Sequence, residues 1–202
     1  MGKDTNGANE YSHILTELNG GQALRVLYAL LQKGGTFATA IMEEAKKVVF
    51  RPIQVEAVAN MICATLNSIP VEDCWDNAAR QSEGYRDITE VAFDMMEEAL
   101  HEFVLEVEKY HRLGKCNLEA LYIQGFLLGL YTFDMDPETD FYSLIEDYIC
   151  DLAVELVTGW IKQHPTLIAE REVLTTFIDN SCPNWEFLHS SNLEYQEEAD
   201  ES

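Results

Sequence analysis

The chain has 202 residues, with 13 Lys and Arg against 36 Asp and Glu, for a formal net charge of −23. An apolar content of 47%, with nine Phe, nine Tyr and three Trp, excludes wholesale disorder, so the acid covers a real core. Phosphate contacts need Lys and Arg, so direct nucleic-acid binding and attachment to an anionic membrane are both disfavoured.

The charge is unevenly placed. Residues 1–70 carry six basic groups (Lys3, Arg25, Lys33, Lys46, Lys47, Arg51) and six acids, which cancel. Residues 71–202 carry seven basic groups and thirty acids, so the whole net charge follows Pro70. No apolar run approaches the ~20 residues of a membrane span. The polar start, Met1-Gly-Lys-Asp-Thr-Asn-Gly, has no signal-peptide core. Five cysteines (63, 74, 116, 150 and 182) are widely spaced without a Cys-x-x-Cys pair, which fits reduced thiols in the cytoplasm.

In chain order, residues 1–9 read as a disordered start and 10–18 as a possible short helix. Gly20-Gly21 opens a helix in which Ala23, Leu24, Val26, Leu27, Leu30 and Leu31 recur at helical spacing up to Gly34-Gly35. Thr36 is placed to cap a second helix to about Phe50. Pro52 suits the first turn of a third, since its missing N–H would be unpaired there anyway. That helix holds Val55, Val58, Ala59, Ile62 and Leu66 and stops near Pro70.

Residues 71–87 are expected to be a connector containing a short helix. The next helix, capped by Asp87 or Thr89, runs to about Leu113 and ends at Gly114. Its buried stripe is Val91, Met95, Met96, Ala99, Phe103, Val107 and Tyr110. Asp94, Glu97, Glu98, Glu102, Glu106 and Glu108 line the remainder, a candidate acidic interaction face. Glu119–Tyr131 is apolar almost all round, which predicts a buried helix. The acidic turn Asp134–Asp140 is expected to cap a helix over 141–163, and Pro165 restarts the chain into one ending near Asn180. Trp185 and Phe187 are expected to dock ahead of an acidic, disordered tail at 189–202. No stretch sustains period-two alternation. The fold class is therefore all-α: a multi-helix bundle or a short helical-repeat (helix-hairpin) array. It divides into an arm at 1–19, a neutral three-helix segment at 20–70, an acidic body at 71–188 packed on that segment, and the tail.

A shift of 34 residues aligns Cys116 with Cys150, Gly125 with Gly159 and Phe126 with Trp160, a spacing typical of helix–turn–helix repeats. Gly125, Gly129 and Gly159 most simply allow close backbone approach. The stretch from Val71-Glu-Asp-Cys-Trp-Asp through Glu97-Glu-Ala-Leu to Gly129-Leu-Tyr resembles helical segments that accompany SWIM zinc-finger domains in bacterial proteins. The zinc motif itself, Cys-x-Cys followed by Cys-x-His, is absent. The resemblance implies only a helical-repeat interaction role and no activity.

Three Glu-x-x-His pairs stand out: Glu98/His101, Glu108/His111 and Glu186/His189. Two such pairs on different helices, with two further glutamates, build a di-iron carboxylate centre. Here Glu98, His101, Glu108 and His111 share one helix and the pairs point about 80° apart. A solvated charged face is expected instead. Asp134, Asp136, Glu138 and Asp140 begin like a calcium loop, but Thr139 stands where the loop needs Gly and Ile145 where it needs Glu. No recognisable context surrounds any cysteine that could pair with histidine as a nucleophile. No catalytic residue, resident metal or cofactor is therefore expected.

The functional expectation is a non-catalytic, helical protein–protein interaction module whose acidic surface meets a basic protein partner. One alternative is a DNA mimic that inhibits a nucleic-acid-binding protein. The other is a helix-turn-helix-like regulator using residues 20–69, although its would-be recognition helix, 53–68, has no Lys or Arg and only Gln54 and Asn60 as base readers.

Overall fold

The computed structural model describes residues 16–79 and 86–189. Among these, eight α-helices and one 3-10 turn are formed from residue 20 onward with no strand, and the fold is all-α. The expectations for residues 1–9, for most of 10–18 and for 190–202 lie outside the described residues. The chain divides into two compact units, residues 1–52 and 53–202.

The first unit contains α1 (Gly20–Gln32) and α2 (Gly35–Val49), which pack on each other. Asn19 and Gln22 form a reciprocal capping box at the start of α1, with both bonds at 3.0 Å. Gly34 and Gly35, at φ +67° and +66°, turn the chain through left-handed backbone that a Cβ would strain. Gly34 occupies the N-cap of α2, where Thr36 was expected. Neither helix buries a residue: Leu24, Leu27, Tyr28, Phe37 and Val48 are all exposed.

The second unit contains α3 (Val55–Asn67), α4 (Val71–Ala79), α5 (Ile88–Arg112), α6 (Cys116–Met135), α7 (Tyr142–Gln163), α8 (Ile168–Ser181) and the 3-10 turn Glu186–Leu188. Helix α3 begins three residues after Pro52, with Gln54 in extended backbone at its N-cap. It belongs to this unit rather than to a neutral three-helix segment. The cause is packing. Its buried face of Val58, Ala59, Ile62 and Leu66 lies on α6, where Gly125 and Gly129 let the two helices close up. A Cβ on Gly125 would lie 2.7 Å from Val58 Cβ, and one on Gly129 would lie 2.8 Å from the carbonyl oxygen of Ala59. Gly159 faces open space, so its expected role in close approach does not hold. The 34-residue echo also aligns the first residue of α6, Cys116, with mid-helix Cys150 of α7.

Helix α6 is the centre of the unit. It is buried almost all round and packs against α3, α5, α7 and α8. Ile123, Phe126, Leu127, Leu130 and Phe133 join Ile62, Leu66, Met96, Leu100, Ile145 and Ile149 in one core. Helix α5 buries more than the expected stripe: Ala92 and Leu100 are fully buried, while Met95, Ala99, Phe103 and Val107 are half-buried. Asp87 caps it as expected, accepting from the Thr89 amide (2.8 Å) and hydroxyl (2.6 Å).

The acidic turn after α6 is structural, but its caps differ from expectation. Asp134 accepts from the Tyr142 hydroxyl (2.8 Å) and from the indole N–H of Trp185 (2.7 Å), which ties down the buried Trp185. Thr139, not an aspartate, accepts from the Phe141 amide ahead of α7. The Glu138 amide donates to Asn67 Oδ1 at 2.9 Å, pinning the turn to the end of α3.

Candidate functional site

The six predicted acids do not form one continuous face. Asp94, Glu97, Glu98 and Glu102 line a groove of about 620 Å³ between α5 and α7, together with His101. Its floor is apolar: Leu100, Val104 and Leu152. Glu106 and Glu108 lie further along α5 and are engaged by Lys109 and by Arg112, the latter at 3.0 Å. Asp94 also holds Arg86 at 2.7 Å, at one end of the groove. A second groove of about 630 Å³ combines Asp134, Glu146, Asp147 and Asp151 with Met135, Tyr142 and Phe187. Rows of carboxylate over apolar floors are suited to a ligand that is both cationic and amphipathic.

The proposed quartet Glu98, His101, Glu108 and His111 is not brought together. His101 stays in the α5 groove with Glu98, and Glu108 turns to Arg112. His111 joins residues that sequence spacing did not connect to it, Glu119 and His164. It sits in the last turn of α5. Gly114, at φ +61°, reverses the chain there; its amide bonds to the His111 carbonyl (2.9 Å) and that of Lys115 to the Tyr110 carbonyl (2.9 Å). Helix α6 then starts at Cys116 and presents Glu119 in its first turn, back towards His111. His164 is the C-cap of α7.

Glu119 is 1% exposed, among the most buried charged side chains described. His164 Nε2 lies 3.1 Å and 3.0 Å from its two carboxylate oxygens, and His111 Nδ1 lies 3.4 Å from Oε1. On the other side of the His164 ring, Nδ1 is 3.9 Å from the Cys116 sulfur. The Trp160 ring packs on His164 at 5.2 Å, and His111 meets the same imidazole edge-on at 5.3 Å. His164 is nearly buried, whereas the His111 side chain is 43% exposed, so the cluster has one open side. One signal for it was present in the sequence: Glu119 is a lone acid at the head of an apolar helix. Nothing in the spacing pointed to His164, 45 residues away.

At the remaining cysteines burial raises the thiol above its ordinary range, Cys63 and Cys74 included. Burial pushes the thiols of Cys150 up to about 11 and Cys182 up to about 12, and neighbouring carboxylates add to the effect at Cys150. No helix among the described residues is long and apolar enough to cross a membrane.

No family model matches this chain, and no curated protein or solved structure matches it significantly.

Proposed function

We propose that this chain is a non-catalytic helical interaction module that takes a basic, amphipathic segment of a protein partner into the groove between α5 and α7. The observation that carries the proposal is the groove's composition: Asp94, Glu97, Glu98 and Glu102 stand over Leu100, Val104 and Leu152, and among the described residues Arg86, paired with Asp94, is the cation at its end. Carboxylates at the rim would steer and orient the partner, while the apolar floor would supply most of the affinity. Five free cysteines are compatible with work in a reducing cytoplasm.

The DNA-mimic alternative draws on the same acids. A further acidic set on α7, Glu146, Asp147 and Asp151, favours it, because imitation of a duplex needs two rows. The helix-turn-helix alternative loses support. Helix α3 has no cation in its sequence, packs its apolar face on α6, and separates from α1 and α2 into the other unit.

The test is charge reversal, Glu97→Lys with Glu98→Lys, in the full chain used as bait. Proteins captured at low salt, released at high salt and lost by the variant are the expected outcome. Capture unchanged by the substitutions would overturn the proposal. Displacement of a captured protein by duplex DNA would select the mimic over the simple module.

A further inference from the structure

We infer that His111, Glu119 and His164 form a binding site for a single divalent transition-metal cation of the zinc type, independent of the acidic groove. Three helix ends converge on one buried carboxylate, and the residues at these ends supply two imidazole nitrogens and a carboxylate oxygen within 4.8 Å of one another. Two imidazoles with one carboxylate are a ligand set used by zinc and by other divalent metals of intermediate softness.

The spacing agrees with the chemistry. Zinc binds nitrogen and carboxylate oxygen at about 2.0–2.2 Å, so donors on a tetrahedron lie about 3.3 Å apart. Here one oxygen, Glu119 Oε1, lies 3.1 Å from His164 Nε2 and 3.4 Å from His111 Nδ1. His111, half-exposed at the end of α5, is the ligand with room to rotate inward and complete the set.

A carboxylate as buried as Glu119 is costly unless its charge is met. A cation held between the three donors would meet it directly, with both imidazoles coordinating through their lone pairs.

The outer contacts fit as well. With Nε2 of His164 on the metal, its proton resides on Nδ1, which faces the Cys116 sulfur at 3.9 Å. A ligating histidine ordinarily donates its second N–H to an oxygen acceptor, which fixes its tautomer; here the weaker acceptor sulfur of Cys116 takes that place. Trp160 walls the ring on another side. Three protein ligands leave a fourth position for water, and the exposed flank of His111 gives that position access to solvent.

The experiment uses the full chain stripped with a chelator and titrated with Zn2+ by calorimetry, and with Co2+ by visible absorption. The expected result is one equivalent bound in competition with a weak chelator, ligand-field bands of low-coordinate Co2+, and a Zn2+-dependent rise in Tm. His111→Ala, at a half-exposed position, and Glu119→Gln should each weaken binding by more than about tenfold and abolish the Tm rise. Glu97→Gln with Glu98→Gln should leave both unchanged. If Glu119→Gln fails to fold, His111→Ala decides. Absence of stoichiometric binding would overturn the inference. So would binding that survives in His111→Ala, because the ion would then be an adventitious guest of the acidic surface.

Discussion

Tyr122 shows how burial alone sets chemistry at a single residue. It is 7% exposed on α6 and faces Tyr110 at 6.0 Å. Burial, reinforced by the Glu106 carboxylate and Tyr110, pushes its phenol up to about 12 from 10.0. The folded state therefore holds this proton more tightly than the unfolded chain. The associated stability is complete below about pH 10 and is lost as pH rises through about 12, on the order of 2 kcal/mol. Cys182, with its thiol pushed up to about 12, acts in the same direction. Chemical denaturation followed across pH 9–12 should show this decline, and Tyr122→Phe should make it shallower.

Among the elements, α3 and α6 form the most intimate pair, and two glycines make that possible. Gly129→Ala would place a methyl 2.8 Å from both the Ala59 carbonyl oxygen and Ile62 Cβ. The backbone of α3 would have to move away. The expected cost is about 1–3 kcal/mol, which outweighs the ~1 kcal/mol gained in helix propensity. Gly159→Ala, facing open space on α7, should instead stabilise by up to about 1 kcal/mol. Opposite shifts in urea midpoint for the two variants are expected. A stabilising Gly129→Ala would refute the close packing of α3 on α6.

Across the whole molecule, the net charge and the deep core fall in the same unit. Residues 1–52 carry six bases and five acids, whereas residues 53–202 carry seven bases and thirty-one acids. The second unit thus holds the deep core together with an excess of 24 negative charges. Self-repulsion of this kind is screened by salt. The Tm of the chain should therefore rise as NaCl is raised from low concentration into the physiological range. A Tm that falls over that range would mean that ion pairs such as Arg86–Asp94 outweigh the repulsion. The first unit differs again. Its helices are amphipathic in sequence, yet Leu24, Tyr28 and Phe37 remain exposed.

By itself the sequence determined what depends on local pattern. The all-α class, the approximate extents of the helices, the Asp87 cap, the burial of α6 and the docking of Trp185 follow from periodicity, capping chemistry and apolar content, which act over a few residues. Tertiary structure alone decided which helix meets which. It moved α3 from the neutral segment into the second unit, because Val58 and Ile62 fit against Gly125 and Gly129, some 67 residues away along the chain. It divided the six candidate acids of α5 between an open groove and local ion pairs, since a groove requires the opposing wall that α7 provides. It also took His111 from its sequence neighbour Glu108 and gave it to Glu119 and His164. Three helix ends converge there only when the chain turns at Gly114 and α7 packs on α6. Local pattern carries no record of such convergence, because residues 45 apart become neighbours only through the packing of the helices between them.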